Sequence, residues 1–216
     1  MILYACQMNR DIDRKNYKEH LGPSFDRLRA TDDRMIIVED DKSVANSYNT
    51  VLDGLNEIPE ALVFIHADCE IIDPAFPMKI RQAMAVPDVA VVGVIGATGV
   101  KSAAWWEGKG FGRAHHMPGE GGVYFQRGNF FVDAIDGQLI AFSPWACANL
   151  RFDVGYEEPG KFVAHLHDVD ICFEARKRGK KVLVLDVEVR HWTRGGYGSK
   201  EVWDRADARF KKKWRL

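Results

Sequence analysis

Residues 61–70 read ALVFIHADCE, a short apolar run that ends in an acidic cluster. The run Ala61–Ile65 contains no polar residue, which is typical of a strand buried on both faces. Asp68 and Glu70 are two positions apart, so their carboxylates point the same way if the chain continues in extended form. Two carboxylates at the carboxyl end of a central strand suit a divalent cation that carries a diphosphate. A solvated acidic turn is the simpler interpretation, and the rest of the sequence decides between the two.

The composition is that of a chain of moderate size without a dominant charge. Its 216 residues, 46% of them hydrophobic, can bury one sizeable core or at most two small ones. Thirty basic and 31 acidic residues give a net charge of -1, so no general field attracts nucleic acid or a membrane surface. The basic run at residues 211–215 is interpreted as a solvated helix face, with contact to an anionic acceptor as the alternative.

The cysteines and the amino terminus indicate a soluble, reducing setting. Cys6, Cys69, Cys147 and Cys172 form no Cys-x-x-Cys pair, so the spacing favours neither a zinc knuckle nor a disulfide framework. The apolar start at residues 1–5 is too short for a signal peptide or a membrane span. We therefore expect a cytoplasmic protein without integral membrane contact.

Strand-like and helix-like segments alternate in the first half of the chain. Apolar runs predict strands at Ile2–Cys6, Met35–Val38, Ala61–Ile65 and Val89–Val94. Helical spacing predicts helices at Tyr17–Ala30, Ser43–Leu55 and Pro74–Met84. This alternation predicts a largely parallel sheet with helices on both faces and a ligand beyond the carboxyl ends of the strands.

The second half begins with a long stretch, residues 93–128, that is rich in Gly and aromatic residues and lacks periodicity. Such a stretch inside a compact domain is typical of a binding loop. Further on, the pattern predicts strands at Phe130–Val132, Gln138–Phe142 and Val182–Val187, and helices at Val169–Arg178 and Glu201–Trp214. We expect one domain over residues 1–216, with a nucleotide-donor half at 1–100 and an acceptor half with the terminal helix at 101–216.

Polar groups follow each predicted strand end of the first half: residues 7–10 after the first strand, 39–41 after the second, and Asp68 with Glu70 after the third. A further acidic pair, Asp168 and Asp170, comes at the start of a predicted helix. These two acids are suitable as a helix N-cap and a first-turn acid. A carboxylate fixed at that place is equally suitable as a general base.

The order of the segments 35–41, 45–49 and 64–68 resembles the nucleotide half of family 2-type GT-A glycosyltransferases. Segment 132–139 resembles the family's strand with its acceptor-side Asp-Gly, and 167–182 resembles its base motif and the following helix. Val189–His191 and Gly195-Gly196 are similar to its late His and Gly segment. The resemblance runs to about residue 198. It implies an α/β fold, a single GT-A-like nucleotide-binding domain with a mostly parallel central sheet flanked by helices.

The resemblance implies an inverting, metal-dependent, hexosyltransferase-like enzyme that moves a sugar from a nucleoside diphosphate donor, with a UDP-sugar favoured, to an acceptor hydroxyl. It implies Asp168 as the catalytic base and Mn²⁺ or Mg²⁺ held by Asp68, Glu70 and His191. The expected donor-binding residues are Gln7, Asn9, Arg10, Glu39, Asp40, Asp41, Asn49 and Asp68, where Asp40 or one of its neighbours contacts the nucleoside. The expected acceptor- or sugar-binding residues are Trp105, Trp106, Asp136, Gly137, His167 and Asp170. Glu70 departs from the family's usual second Asp, and His167 departs from the usual acid before the base.

Two other functions are open. A nucleotidyltransferase would share the sheet and the metal, although such enzymes resemble one another in a Gly-rich loop after the first strand, and residues 7–11 contain no Gly. A non-catalytic nucleotide- or sugar-binding module would bind without turnover. The acceptor stays undefined: a protein, a glycan, a lipid-linked sugar and modified DNA are the candidates.

Overall fold

The computed structural model describes residues 1–39, 43–156, 166–192 and 199–216. The strands within these ranges are β1 (Ile2–Gln7), β2 (Arg34–Val38), β3 (Ala61–Ile65), β4 (Cys69–Ile71), β5 (Val89–Gly93), β6 (Ile95–Thr98), β7 (Lys109–His115), β8 (Gly122–Tyr124), β9 (Phe130–Val132), β10 (Ala134–Ile135), β11 (Leu139–Phe142), β12 (Lys181–Val184) and β13 (Val189–His191). The α-helices are α1 (Asp11–Asn16), α2 (Gly22–Leu28), α3 (Val44–Asp53), α4 (Phe76–Met84), α5 (Pro144–Asn149), α6 (His167–Lys177) and α7 (Lys200–Trp214).

The larger sheet has seven strands in the order β2-β1-β3-β11-β5-β12-β9. Strands β2, β1, β3, β5 and β12 run in one direction, whereas β11 and β9 run against it. The predicted α/β architecture is confirmed, and the sheet is mixed rather than strictly parallel. Strand β11 causes the main departure, because it lies between β3 and β5 and places the turn before Leu139 beside Ile65.

The smaller sheet has the order β10-β6-β7-β13-β4, with β8 paired to β7. It contains much of the stretch 93–128, so the prediction of an irregular loop there was wrong for β6, β7 and β8. Glycines hid the strand pattern. Gly112 has φ +82°, and a Cβ at this position would collide with the carbonyl oxygen of Val94. Packing therefore requires a glycine at position 112, and a glycine adds nothing to the hydrophobic pattern by which a strand is predicted.

Several predicted boundaries shift in the structure. The first helix begins at Asp11 instead of Tyr17, and a π-helical turn at Tyr17–Leu21 joins α1 to α2. The last predicted strand, Val182–Val187, ends at Val184 as β12, and the separate strand β13 follows at Val189 in the other sheet. Helix α5 was not predicted; Ser143 caps it by accepting a hydrogen bond from the amide of Ala146. The break between β12 and β13 matters for the site, because it allows β13 to leave the large sheet.

The buried residues of both sheets form one hydrophobic cluster. Every residue of β3 is buried, as the apolar run predicted. The fully buried Asp33 fixes the edge of this core: its carboxylate accepts hydrogen bonds from the amides of Ile2 (2.7 Å) and Ala30 (3.0 Å) and pairs with Arg81. The assignment to one domain with a donor half and an acceptor half stays a prediction. No described helix combines the length and the apolar character needed to cross a membrane.

Candidate active site

A cleft of about 830 Å³ opens beyond the carboxyl ends of β1 and β3, where the two sheets meet. It is lined by ten of the residues predicted from the sequence: Gln7, Arg10, Asp68, Trp105, Trp106, Asp136, Gly137, His167, Asp168 and His191. Its volume and concave shape are typical of a small-molecule site. The predicted site residues thus converge on one cleft to a large extent.

A cluster of His66, Asp68 and His191 forms the floor of the cleft. One ligand atom of each residue lies within 4.8 Å of those of the other two. His191 Nε2 is 3.2 Å from Asp68 Oδ1, and the two imidazole centroids are 5.7 Å apart. Strand pairing creates this proximity, because β13 runs antiparallel to β4 and places His191 opposite Cys69. Two imidazoles and one carboxylate are a donor set that fits a divalent transition-metal ion.

The two histidines of this cluster differ in their pKa. Burial lowers the pKa of His66, and the charge of Asp68 opposes this only in part. Burial also lowers the pKa of His191, but the hydrogen bond and charge of Asp68 outweigh it, so the pKa is raised overall. Asp68 therefore favours a positive charge at this point of the cleft.

The structure does not bring Glu70, the predicted third metal ligand, into this cluster. The Glu70 carboxylate accepts hydrogen bonds from the Arg190 guanidinium (3.0 Å) and from Trp192 Nε1 (3.1 Å). The reason is the chain path. Residues 66–69 form a turn in which the Cys69 amide donates to the His66 carbonyl (3.0 Å), so the alternation of an extended strand does not hold across it. In this cluster His66 lies where the spacing argument had placed Glu70. Sequence reasoning missed His66, and the sequence His66-Ala67-Asp68 is the signal that could have identified it.

Asp168 lies in the first turn of α6 and faces the same cleft. Burial and the charge of Asp136 raise the pKa of Asp168 to about 7, although backbone amides, including that of Val169 at 2.8 Å, favour the ionised form. A carboxyl group whose pKa lies near neutrality can accept a proton from a hydroxyl at working pH. The geometry and the pKa therefore both suit a general base.

Gly137 allows the turn between β10 and β11 to lie against the first turn of α6. A Cβ at this position would be 3.1 Å from both Asp168 Oδ2 and His167 Nε2, a distance that requires these side chains to move. Asp136 shapes the same turn, because its Oδ1 accepts a hydrogen bond from the Gln138 amide (3.0 Å). Asp136 and Gly137 thus place the turn between β10 and β11 directly against the candidate base, Asp168.

The predicted donor end of the cleft is preorganised by hydrogen bonds after β1. Gln7 Nε2 donates to the Ser43 carbonyl (3.0 Å) and to Ser47 Oγ (2.8 Å). Arg10 pairs with Asp13 at 2.6 Å, and Asp13 lines the cleft together with Arg10. These contacts hold one amide and one guanidinium at the rim of the cleft.

Other predicted site residues lie outside the cleft lining. The Asn9 amide donates to Asp13 (3.2 Å), and Glu39 pairs with Arg14 on the exposed surface (3.1 Å). Asn49 bonds both backbone groups of Phe152, at 2.9 and 2.8 Å. The side chains of Glu39 and Asn49 thus make contacts within the fold, and the Asn9 contact is made by its backbone amide. Asp40, Asp41 and the Gly195-Gly196 segment lie outside the described residues.

Asp170 is not among the residues that line the cleft. Its carboxylate is buried and receives three hydrogen bonds, from Tyr156 Oη (2.9 Å), Trp214 Nε1 (2.8 Å) and Lys213 Nζ (2.7 Å). The last turn of α7 is thereby attached to the first turn of α6, two residues from Asp168. The predicted first-turn acid is therefore a structural anchor.

Aromatic side chains form a further part of the cleft lining. Trp105 is buried and packs edge-on against Trp106, whereas Trp106 is 41% exposed. Trp203 of α7 lies 5.4 Å from Trp106 between ring centroids, and Phe125 completes this part of the lining. Sequence reasoning missed Trp203 and Phe125. Trp203 belongs to a helix of ordinary amphipathic pattern, and nothing in that pattern indicates which aromatic residue faces a cleft.

Residues 13–214 of this chain match the sequence model of a protein family described as "Glycosyltransferase like family". The chain belongs to that family. No curated protein sequence matches it significantly. The recognition of a family 2-type GT-A glycosyltransferase from the sequence is confirmed by this match and by the fold.

Three solved structures share the fold of this glycosyltransferase family member. A197 from STIV is 15% identical, with a TM-score of 0.53 over 89% of this chain and 85% of that chain. GalNAc-T7, solved with UDP, GalNAc and Mn²⁺, is 12% identical, with a TM-score of 0.59 over 98% and 47%. The mannosyltransferase PcManGT from Pyrobaculum calidifontis, solved with GDP-Man and Mn²⁺, is 15% identical, with a TM-score of 0.56 over 100% and 64%. This chain thus spans less than two thirds of the length of the last two proteins.

Proposed function

We propose that this glycosyltransferase transfers a sugar from a nucleoside diphosphate sugar to an acceptor hydroxyl, with inversion at the anomeric carbon and in dependence on a divalent metal. The observation that carries the proposal is that a candidate metal-binding cluster and a candidate general base line the same cleft. The cluster of His66, Asp68 and His191 lies at its floor, and Asp168, with a pKa of about 7, lies on its wall. The solved structures of similar fold with UDP or GDP-Man support a nucleotide donor.

Of Mn²⁺ and Mg²⁺, the cluster fits Mn²⁺ better. Two imidazole nitrogens and one carboxylate suit a first-row transition ion, whereas Mg²⁺ prefers oxygen ligands and retains its water. A bound divalent ion supplies a positive charge that stabilises the leaving diphosphate. His66, Asp68 and His191 would hold it, whereas Glu70 is bonded to Arg190 and Trp192 instead.

Asp168 acts as the general base. In its ionised form it accepts the proton of the acceptor hydroxyl while the hydroxyl oxygen bonds to the anomeric carbon and the bond to the diphosphate breaks. General-base catalysis of this kind contributes about 10²–10⁴-fold to the rate. Asp136 keeps the pKa of Asp168 high enough for proton acceptance, and Gly137 leaves room for its carboxylate.

The donor end holds the nucleotide through Gln7, Arg10 and the backbone after β1, and a UDP-sugar is the favoured donor. Asp40 and its neighbours remain candidates for the nucleoside contact. His167, buried beside Asp168, supports the base more than it contacts the sugar, because its ring packs edge-on against Tyr48 with centroids 6.0 Å apart.

Release of nucleoside diphosphate from UDP- and GDP-sugars tests the proposal. Turnover should require Mn²⁺ and stop with chelator. Asp168→Asn should reduce kcat at least 100-fold and leave Mn²⁺-dependent nucleotide binding within about two-fold. The anomeric configuration of the product, read by NMR, should be opposite to that of the donor. Binding of UDP or GDP without any turnover, in wild type and Asp168→Asn alike, would instead identify a binding module.

A further inference from the structure

Part of the cleft lining is an aromatic surface, here called the aromatic wall, formed by the exposed Trp106 and Phe125 and the half-buried Trp203. Trp106 is 41% exposed and Phe125 37%, although both lie inside a concave site. Trp106 and Trp203 lie 5.4 Å apart between ring centroids, with their planes inclined by 39°. Flat apolar rings kept accessible within a cleft bind ligands that present a flat apolar face of their own.

The aromatic wall is held in place by attachments of α7 and of the segment that precedes the tryptophan pair. Asp207 of α7 accepts a hydrogen bond from the Ala103 amide (2.9 Å), two residues before the tryptophan pair. Asp133 accepts from the amides of Gly99 (2.6 Å) and Val100 (3.2 Å) at the start of the same segment. At its other end α7 is attached to Asp170. The rings are therefore positioned before any ligand arrives, which lowers the entropic cost of binding.

The charges of the cleft disfavour an anionic acceptor. Its described lining contains four carboxylates, those of Asp13, Asp68, Asp136 and Asp168. Among the same lining residues, Arg10 is the single Lys or Arg, and it pairs with Asp13. Among the described lining residues, a phosphate group on the acceptor would meet no Lys or Arg other than the paired Arg10. DNA and phosphorylated lipids therefore fit this end poorly.

The basic run at residues 211–215 does not change this conclusion. Lys211 pairs with Asp207 at 2.6 Å. Lys213 lies between Asp153 and Asp170, at 2.9 and 2.7 Å. Neither lysine lines the cleft. Lys213 attaches the end of α7 to the fold and Lys211 pairs within the helix, so these two lysines do not support the earlier alternative of a tail that attracts an anionic acceptor.

We propose that the acceptor is an uncharged carbohydrate, and that one of its pyranose rings lies against the aromatic wall with Trp203 as a specificity-determining residue. This inference rests on the proposed function. A pyranose presents a face of C–H groups to the rings and hydroxyl groups at its edge. The face suits Trp106 and Trp203, and the hydroxyls suit the carboxylates of Asp136 and Asp168, which line the same cleft. An extended peptide, the other neutral candidate, would place few flat faces against the rings.

The test is an array of immobilised probes exposed to the full chain with UDP and Mn²⁺. The probes are neutral oligosaccharides, sulfated oligosaccharides, unmodified peptides and vesicles of anionic phospholipid. We expect binding to neutral oligosaccharides, reduced at least ten-fold by Trp203→Ala and by Trp106→Ala, with partial recovery in Trp203→Phe. Trp145→Ala is the matched control: Trp145 is a half-buried tryptophan outside the cleft lining, and its replacement should leave binding unchanged.

The result that overturns the inference is binding confined to peptides or to anionic probes, or absence of binding to every neutral oligosaccharide. Equal binding by wild type and by a folded Trp203→Ala variant would also overturn it. Nucleotide binding separates this failure from failure of the proposed function. If UDP or GDP binds with Mn²⁺ and no oligosaccharide does, only the carbohydrate acceptor is wrong; if no nucleotide binds, the donor site itself is wrong.

Discussion

The Asp68 carboxylate and the His191 imidazole, which are far apart in the sequence, lie 3.2 Å from each other at the floor of the cleft. The contact depends on β13, which pairs with β4 in the smaller sheet and so returns the end of the chain to the end of β3. Residues from the first half and the second half of the chain thus meet in the cluster that we propose as the metal site. This relationship makes the site testable by substitutions on either side of it.

Metal binding should depend on the cluster of His66, Asp68 and His191, and not on Glu70 of the acidic pair predicted from the sequence. Asp68→Asn and His66→Ala should each weaken Mn²⁺ binding at least ten-fold in the presence of UDP, because each removes one of three ligands. Free Mn²⁺ measured by electron paramagnetic resonance gives the affinity directly. Glu70→Gln is the matched control, since Glu70 pairs with Arg190 instead. A variant Glu70→Gln that loses Mn²⁺ as strongly as Asp68→Asn would restore the acidic pair as the ligand set.

The pH dependence should report Asp168. Since its pKa is about 7, kcat/KM should fall about ten-fold per unit of pH below that value. Asp136→Asn removes a negative charge that raises the pKa, so the acid limb should move to lower pH. Carbon-13 NMR of the Asp side chains follows the same titration without turnover. An acid limb that stays in place in Asp136→Asn would show that another group controls it.

The same shift has a consequence for stability. The pKa of Asp168 is about 7 in the folded protein and about 3.9 in an unfolded chain, so the folded state binds the proton more tightly. The contribution of Asp168 to the free energy of unfolding is favourable below about pH 4 and is lost as the pH rises towards 7. Asp168→Asn should therefore raise the melting temperature at pH 8 more than at pH 4. A calorimetric scan that finds the larger rise in melting temperature at pH 4 would contradict a raised pKa of Asp168 in the folded protein.

Gly137→Ala should disturb the base without disturbing the fold. The added methyl group would meet Asp168 and His167 at 3.1 Å, and these side chains would have to move by a few tenths of an ångström. We expect a loss in kcat of about ten-fold, since displacements of about 1 Å cost up to about 100-fold. Steady-state kinetics with a fixed donor measures it. Unchanged kcat in the variant would place the reacting groups away from this contact.

Asp170 should matter for stability more than for acceptor affinity. Asp170→Asn leaves Lys213 beside a neutral amide and should lower the free energy of unfolding by about 2–4 kcal/mol. Asp153→Asn, which affects a more exposed partner of the same lysine, should cost below about 1 kcal/mol. Urea denaturation compares the two. A change in acceptor KM with no loss of stability would return Asp170 to the acceptor site.

The sequence predicted the large sheet and the edge where the cleft lies, because buried strands such as β3 carry an unambiguous apolar pattern. It did not predict the smaller sheet. There, Gly112 and its neighbours are required by close backbone contacts and leave no periodicity. The error at Glu70 has a related cause, since a turn at residues 66–69 interrupts the strand that the spacing argument assumed. Asp168 was correctly placed in the cleft because a helix start fixes its position locally, whereas Trp203 depends on how α7 packs.

The most direct test of the account is the thermal stability of the full chain with UDP, GDP and their sugars, each with Mn²⁺, with Mg²⁺ and with chelator. Saturation at about 100 Kd adds roughly 2.7 kcal/mol, which should raise the melting temperature by roughly 5–10 °C. We expect this rise with one nucleotide family and Mn²⁺, a smaller one with Mg²⁺, and none with chelator or in Asp68→Asn. No rise with any nucleotide, or an equal rise with chelator, would contradict a metal-dependent donor site.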